Sequence, residues 1–210
     1  SRLSTFAEYV DYGSRDAEGS RYPDSYYRLE MDYLYRLFTQ VGSLRLDAIR
    51  IGVGHLRGKV PMLGPEGPTG TVRTGLDYGF SEVELGLSPY FGLAGRLVLG
   101  GNATGFTAGF GGRVRIGRPA GSRVELEGEY NAGLGAAATV RLAWDTVPRF
   151  PMSAAAQVTN IPSGLPGVRL LYRADYELTE ALLLGVQVGY QARTSVGGGP
   201  SFGFAASYGW

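Results

Sequence analysis

Arginines and carboxylates recur at every second position in several stretches of this 210-residue chain, and its chemistry concentrates there. Arg28, Glu30, Asp32 and Arg36 share one parity; Glu125, Glu127 and Glu129 do the same, as do Arg169, Arg173 and Asp175. Arg45, Arg73, Arg96, Arg113, Arg115, Arg123 and Arg141 extend the set, with Asp47, Glu82, Glu84 and Glu177 as further acids. The signs are interleaved, so a guanidinium fork on one segment can grip carboxylates on its neighbours. Lys59 is the single lysine, and Arg in place of Lys suits bidentate pairing in a confined space. Such rows can serve as an ion-pair ladder that fills space or as a polar path for solutes. Catalysis has less to stand on. His55 is the only histidine and no serine lies two residues from it, so it reads as a solvated residue near a strand end. The acid pairs Glu82/Glu84 and Glu125/Glu127 are explained by their charged rows without acid–base work. There is no cysteine and no Asp-rich loop with calcium-ligand spacing, so neither metal nor cofactor is expected. The glycine runs at 109–112 and 197–199 do not join a strand to a helix, so they are not phosphate cradles.

The elements that must position these rows are β-strands. A period of two puts successive side chains on opposite faces. Val124, Leu126, Tyr130 and Leu134 alternate with Arg123, Glu125, Glu127 and Glu129; Leu29, Met31, Tyr33 and Tyr35 alternate with Arg28, Glu30, Asp32 and Arg36. The same holds around Val168–Tyr176 and Leu182–Tyr190. Gly, Pro, Asn and Asp clusters break the pattern at meander spacing. The reading is one domain over 1–210 with about twelve strands, near 2–12, 26–38, 43–55, 72–87, 90–100, 104–117, 123–134, 137–145, 152–159, 168–177, 181–192 and 201–210. The formal net charge of +1, without a basic cluster, argues against a nucleic-acid partner. The longest apolar runs, such as 181–184, fall far below the roughly 18 residues of a membrane helix. No signal peptide is visible and the chain starts at Ser1 without Met, as expected of a processed chain or the C-terminal part of a longer one.

The last ten residues sharpen the class. Phe202, Phe204, Ala206, Tyr208 and Trp210 share one face, and Ser201, Gly203, Ala205, Ser207 and Gly209 the other. This strand, ending on an aromatic, resembles the C-terminal strand of bacterial outer-membrane β-barrel proteins, and the repeated alternation extends the resemblance over the whole chain without singling out one family. The resemblance implies an all-β, transmembrane, antiparallel up-and-down barrel in the bacterial outer membrane, with lipid around it. It also implies recognition of 201–210 by the outer-membrane insertion machinery. Connections expected to be short (39–42, 88–89, 118–122, 145–151, 178–180) alternate with a set that includes longer ones (13–25, 56–71, 160–167, 193–200), an asymmetry that puts both termini on the periplasmic side.

Small residues on the polar face and aromatics near strand ends favour lipid outside over a soluble barrel. Trp144, Tyr208 and Trp210, with Tyr26, Tyr27, Tyr90 and Phe91, are the expected interfacial girdle. The lumen would then be lined by Arg28, Glu30, Asp32, Arg36, Arg45, Arg96, Arg113, Arg115, Glu125, Glu127, Glu129, Arg141, Arg169, Arg173 and Asp175. Small inward residues on strands five, six, nine, eleven and twelve leave room along one wall for water, a ligand, another chain or a folded-in loop such as 56–71. Two functions follow: a passive channel for small polar solutes, or a membrane anchor or docking subunit of an envelope assembly with a closed lumen. Neither is enzymatic.

Overall fold

The computed structural model describes residues 1–42, 44–103, 105–119, 121–162, 166–193 and 196–210. Twelve antiparallel strands follow one another in chain order: β1 (Arg2–Asp11), β2 (Ser25–Val41), β3 (Leu44–Gly64), β4 (Gly67–Ser88), β5 (Phe91–Asn102), β6 (Gly105–Gly117), β7 (Arg123–Asn131), β8 (Gly135–Trp144), β9 (Met152–Thr159), β10 (Gly167–Glu177), β11 (Leu182–Arg193) and β12 (Gly197–Gly209). Each pairs with its chain neighbours, and β12 pairs back onto β1, so the sheet closes into a barrel. Closure leaves the barrel wall no unpaired strand edge, which a strand-built object in lipid requires. The expected starts at 43 and 104, and parts of the loops expected at 118–122, 160–167 and 193–200, fall outside the described residues.

The pairing register separates two faces. Leu3, Tyr9, Leu29, Ile51, Val53, Leu97, Phe110, Leu126, Val140, Leu170, Val186 and Phe204 are exposed, with Phe204 at 66%. In a soluble protein such a continuous apolar surface would be an association site; around a closed barrel it is the lipid-facing band. Aromatics mark both margins. Tyr33, Tyr172, Tyr208 and Trp210 lie toward the end that carries the termini, and Tyr9, Tyr27, Tyr130 and Tyr190 toward the other. At the terminal end Tyr33 and Tyr208 both pack near Trp210, at ring-centroid distances of 5.7 and 6.0 Å.

Two expectations are corrected. The stretch 56–71 is not a loop that could enter the mouth. It continues β3 and β4 as a hairpin paired through Val60↔Val72 and Leu63↔Pro68 to Gly64↔Gly67, and it projects beyond β2, whose pairing with β3 ends at Tyr26↔Gly58. Pro61 and Pro68 are tolerated because the arm has free edges where no neighbour needs their missing N–H. Gly67, at φ 125°, makes the turn tight. Likewise 197–200, expected in a loop, belongs to β12. The segment that folds inward is the connection 12–24, whose Tyr12 and Ser14 are fully buried. Gly13 (φ 66°) lies so close to the Gly198 carbonyl that no Cβ fits there.

Candidate functional site

Alternation from Glu8 and Ser4 on β1 runs through register partners around the barrel and fixes the inner face. Arg28, Glu30, Asp32 and Arg36 on β2 lie on it, facing Leu56, Gly54, Gly52 and Ala48 of β3. Arg45 of β3 pairs with Gly86, and Arg96, Arg113 and Arg115 pair with Glu82, Ala94 and Gly92. Glu125, Glu127 and Glu129 on β7 face Arg141, Thr139 and Ala137 on β8. Arg169, Arg173 and Asp175 on β10 face Gln191, Gln187 and Gly185 on β11. Trp144, Tyr208 and Trp210 have the opposite parity, at the terminal end.

Ion pairs join the inward charges of β2–β6 into two networks, and three further pairs stand apart. Glu30 takes Arg28 at 2.7 Å and Arg96 at 2.9 Å. Glu82 takes Arg113 at 2.9 Å and Arg50 at 4.0 Å, and Arg50 reaches Asp32 at 3.6 Å. Glu84 takes Arg113 at 3.4 Å and Arg115 at 3.3 Å, and Arg115 continues to Asp47, which also holds Arg45. Across the lumen, Arg169 donates to Glu8 at 2.6 Å and Gln187 donates to the same oxygen at 2.9 Å. Arg123–Glu125 and Arg173–Asp175 close at 2.7 Å each. Among the described residues Arg36, Glu127, Glu129 and Arg141 make no ion pair within 4.0 Å. Fixed charges of both signs therefore face the lumen beside unpaired ones.

The space lies toward the terminal end. A cavity of about 460 Å³ is bounded by Arg36, Arg50, Arg113, Arg141, Glu125 and Asp175, and on its small-residue side by Ser4, Ser153, Ala205 and Ser207. Elsewhere on that wall the small residues are covered: Asp175 lies over Gly185, Leu171 over Gly189 and Phe6 over Gly203. Small side chains thus make room for ion pairs and two apolar side chains; the 460 Å³ space lies near the termini, and a smaller one of about 50 Å³ lies among Arg28, Tyr78, Arg96 and Glu129.

The other end is closed by an apolar cluster. Val10, Tyr26, Leu56, Val60, Leu76, Tyr78 and Phe80 point inward and join Tyr12 from 12–24, Leu134, Val196 and Ile161. Tyr12 and Leu76 are at most 1% exposed. The loops are tied down by polar bonds. Arg193 donates to the carbonyls of Thr159 at 2.9 Å and Ile161 at 2.7 Å and lies over the Tyr12 ring. Gln191 donates to the Asp11 carbonyl at 2.8 Å. Ser14 donates to Asp24, whose carboxyl burial pushes above the usual carboxylate range. Where cluster and charges meet, Arg28 donates to the Tyr78 hydroxyl at 3.0 Å and the Arg96 guanidinium stacks 3.8 Å from the Phe80 centroid.

Sequence reasoning placed three residues wrongly or not at all. Tyr26 is not in the girdle: it neighbours outward Tyr27, adjacent strand residues face opposite sides, and it is 3% exposed in the cluster. Arg73 pairs with Lys59 on the outward face of the arm, a parity already implied by inward Glu82 and Glu84. Arg50 was overlooked because its inward row, Ala48–Gly52–Gly54, carries no other charge.

A closed antiparallel barrel of twelve strands, with an apolar belt, aromatic margins and a polar lumen, defines an outer-membrane β-barrel protein of bacteria. Its solved relatives in fold agree. The KdgM porin superposes with a TM-score of 0.61 at 9% identity, covering 99% of each chain. An outer-membrane channel from Pseudomonas putida F1 gives 0.63 at 11%, covering 99% of this chain and 94% of that one. LpxR from Salmonella typhimurium gives 0.59 at 10%, covering both chains fully. No family model matches the chain, and no curated protein matches it in sequence. The likeness is one of fold, and the chain is localised to the outer membrane.

Proposed function

We propose that this barrel is a passive, non-enzymatic channel for small polar solutes, held closed at one end by its own apolar cluster. The observation that carries the reading is the charged lumen wall opening into the 460 Å³ cavity, where Arg36 and Arg141 are free of ion pairs among the described residues, as are Glu127 and Glu129 elsewhere on the inner face. A wall that served only as filler would pair its charges throughout. The porin and channel among its relatives in fold support the same class. The termini are read as periplasmic from the resemblance of the closing strand that ends on Trp210; loop length does not carry the reading, because the turn at 65–66 of the opposite end is as tight as the one at 89–90. The closing strand 201–210 is read as the signal to the insertion machinery.

A second reading, an anchor or docking subunit of an envelope assembly, is favoured by one feature: the cluster around Tyr12 and Leu76 blocks the lumen. Conductance in planar bilayers separates the two. Openings whose ion selectivity changes on Arg113→Glu or Glu127→Arg support the channel. Electrical silence together with co-purifying envelope proteins supports the anchor.

A further inference from the structure

The outward face of β3 changes character along its length. Ile51 and Val53 are each 55% exposed to lipid; the same face continues as His55, Arg57 and Lys59. On β4 the matching face runs through Asp77 and Gly75 to Arg73, and Lys59 lies directly opposite Arg73. His55 sits beside Tyr27 of the upper aromatic margin, ring centroids 5.7 Å apart, so this is where the strands leave the apolar band.

The polar groups there are organised. His55 Nδ1 donates to Asp77 Oδ1 at 2.5 Å, and Arg57 donates to Oδ2 at 2.6 Å. The Tyr27 hydroxyl donates to His55 Nε2 at 3.3 Å. The Arg57 side chain lies over Gly75, where a Cβ would displace it. Asp77 is the one carboxylate bonded in this cluster, so Arg57, Lys59 and Arg73 leave net positive charge, and neither Lys59 nor Arg73 has an ion pair among the described residues. Below the cluster a furrow of about 480 Å³ runs down the lipid face, floored by Ala7 and Ala206, walled by Leu29, Met31 and Phe204, with His55 at one end.

We propose that this furrow and the cations above it form a binding site for a net-anionic, phosphate-bearing membrane lipid. An acyl chain would lie in the furrow, where small Ala7 and Ala206 leave space between larger neighbours. The phosphate would meet Arg57, Lys59 and Arg73. Guanidinium forks match phosphate oxygens bidentately, and the Asp77 and Tyr27 bonds hold Arg57 and His55 in place before the lipid arrives. The occupant is a lipid rather than a soluble anion because the cations continue a face already immersed in the bilayer. The side chains invoked here, from Ala7 and Ala206 to Arg57, Lys59 and Arg73, all have outward parity, so the site stands whether or not the barrel conducts.

Native mass spectrometry of the folded, detergent-solubilised barrel tests it, with bis-phosphorylated lipid A and zwitterionic phosphatidylcholine as probes. Wild type should retain lipid A in preference to phosphatidylcholine. Each cation neutralised in R57Q, K59Q and R73Q should weaken retention about fivefold, the factor expected for one basic residue at an anionic lipid surface. Ala7→Trp should weaken it for both lipids by filling the furrow, with all cations intact. Arg118→Gln, at the opposite end, should leave it unchanged. Heat-modifiable electrophoretic migration reports that each variant is folded. Equal retention of the two lipids by wild type, undiminished lipid A binding by folded R57Q/K59Q/R73Q, or full displacement by inorganic phosphate would each overturn the proposal.

Discussion

Glu8→Gln should destabilise the barrel more than any other single change of charge in the lumen. The Glu8 and Arg169 side chains are 4% and 8% exposed, and their oxygen and nitrogen are 2.6 Å apart. Glu8 also receives Gln187, while the other partner of Arg169 is Gln157 Oε1 at 3.4 Å. Neutralising Glu8 therefore leaves a buried guanidinium without a counter-charge, its remaining acceptors being neutral amide oxygens. Breaking a buried pair from one side costs about 3–5 kcal/mol. With a denaturant slope near the top of the usual range, about 3 kcal/mol per molar urea, the midpoint falls by about 1–1.7 M. The assay is a urea titration of the barrel in vesicles, followed through the fluorescence of Trp144 and Trp210, both on the outer face. Glu8→Leu/Arg169→Leu should recover most of the loss, because it removes both charges together. A Glu8→Gln midpoint within about 0.2 M of wild type, roughly half a kilocalorie on the same slope, would mean that the pair is wet and the lumen is not close-packed there.

Other outcomes follow from the closed end. Leu76→Ala, which empties a fully buried site, should weaken the apolar cluster by about 2–5 kcal/mol and lengthen channel openings, read as open time in single-channel records. Gly13→Ala should do the same by pushing 12–24 off Gly198, and protease should then cut within 15–21 faster than in wild type. Asp24 titrates above its unfolded value, so its share of the stability of segment 12–24 is fully present below the unfolded pKa and is lost as pH rises through the folded one. Acid should therefore lengthen closed times. Asp24→Asn should remove that component; unchanged pH dependence in this variant would refute the assignment.

How far the residues announce this structure depends on which face they occupy. Arg28, Glu30, Asp32 and their counterparts on β7 and β10 are legible because a polar lumen against apolar lipid makes the period of two visible at every step. The closing of the barrel end is not legible. Tyr12 and Tyr26 carry the same composition signal as girdle tyrosines, and only the path of 12–24 and the parity against Tyr27 turn them inward. The arm of β3 and β4 was masked by Pro61, Pro65 and Pro68, which read as loop residues unless the strands are known to stand free of neighbours. Arg57, Lys59 and Arg73 belong to the same blind spot, since their shared outward face exists only once 56–71 is paired.

Single-channel recording in planar bilayers tests the central claim, that the charged lumen is a solute path. Wild type should show intermittent openings, Leu76→Ala sustained ones, and Arg113→Glu a shift in selectivity toward cations, since Arg113 faces the 460 Å³ cavity between Glu82 and Glu84. Silence from folded wild type and folded Leu76→Ala alike would contradict it.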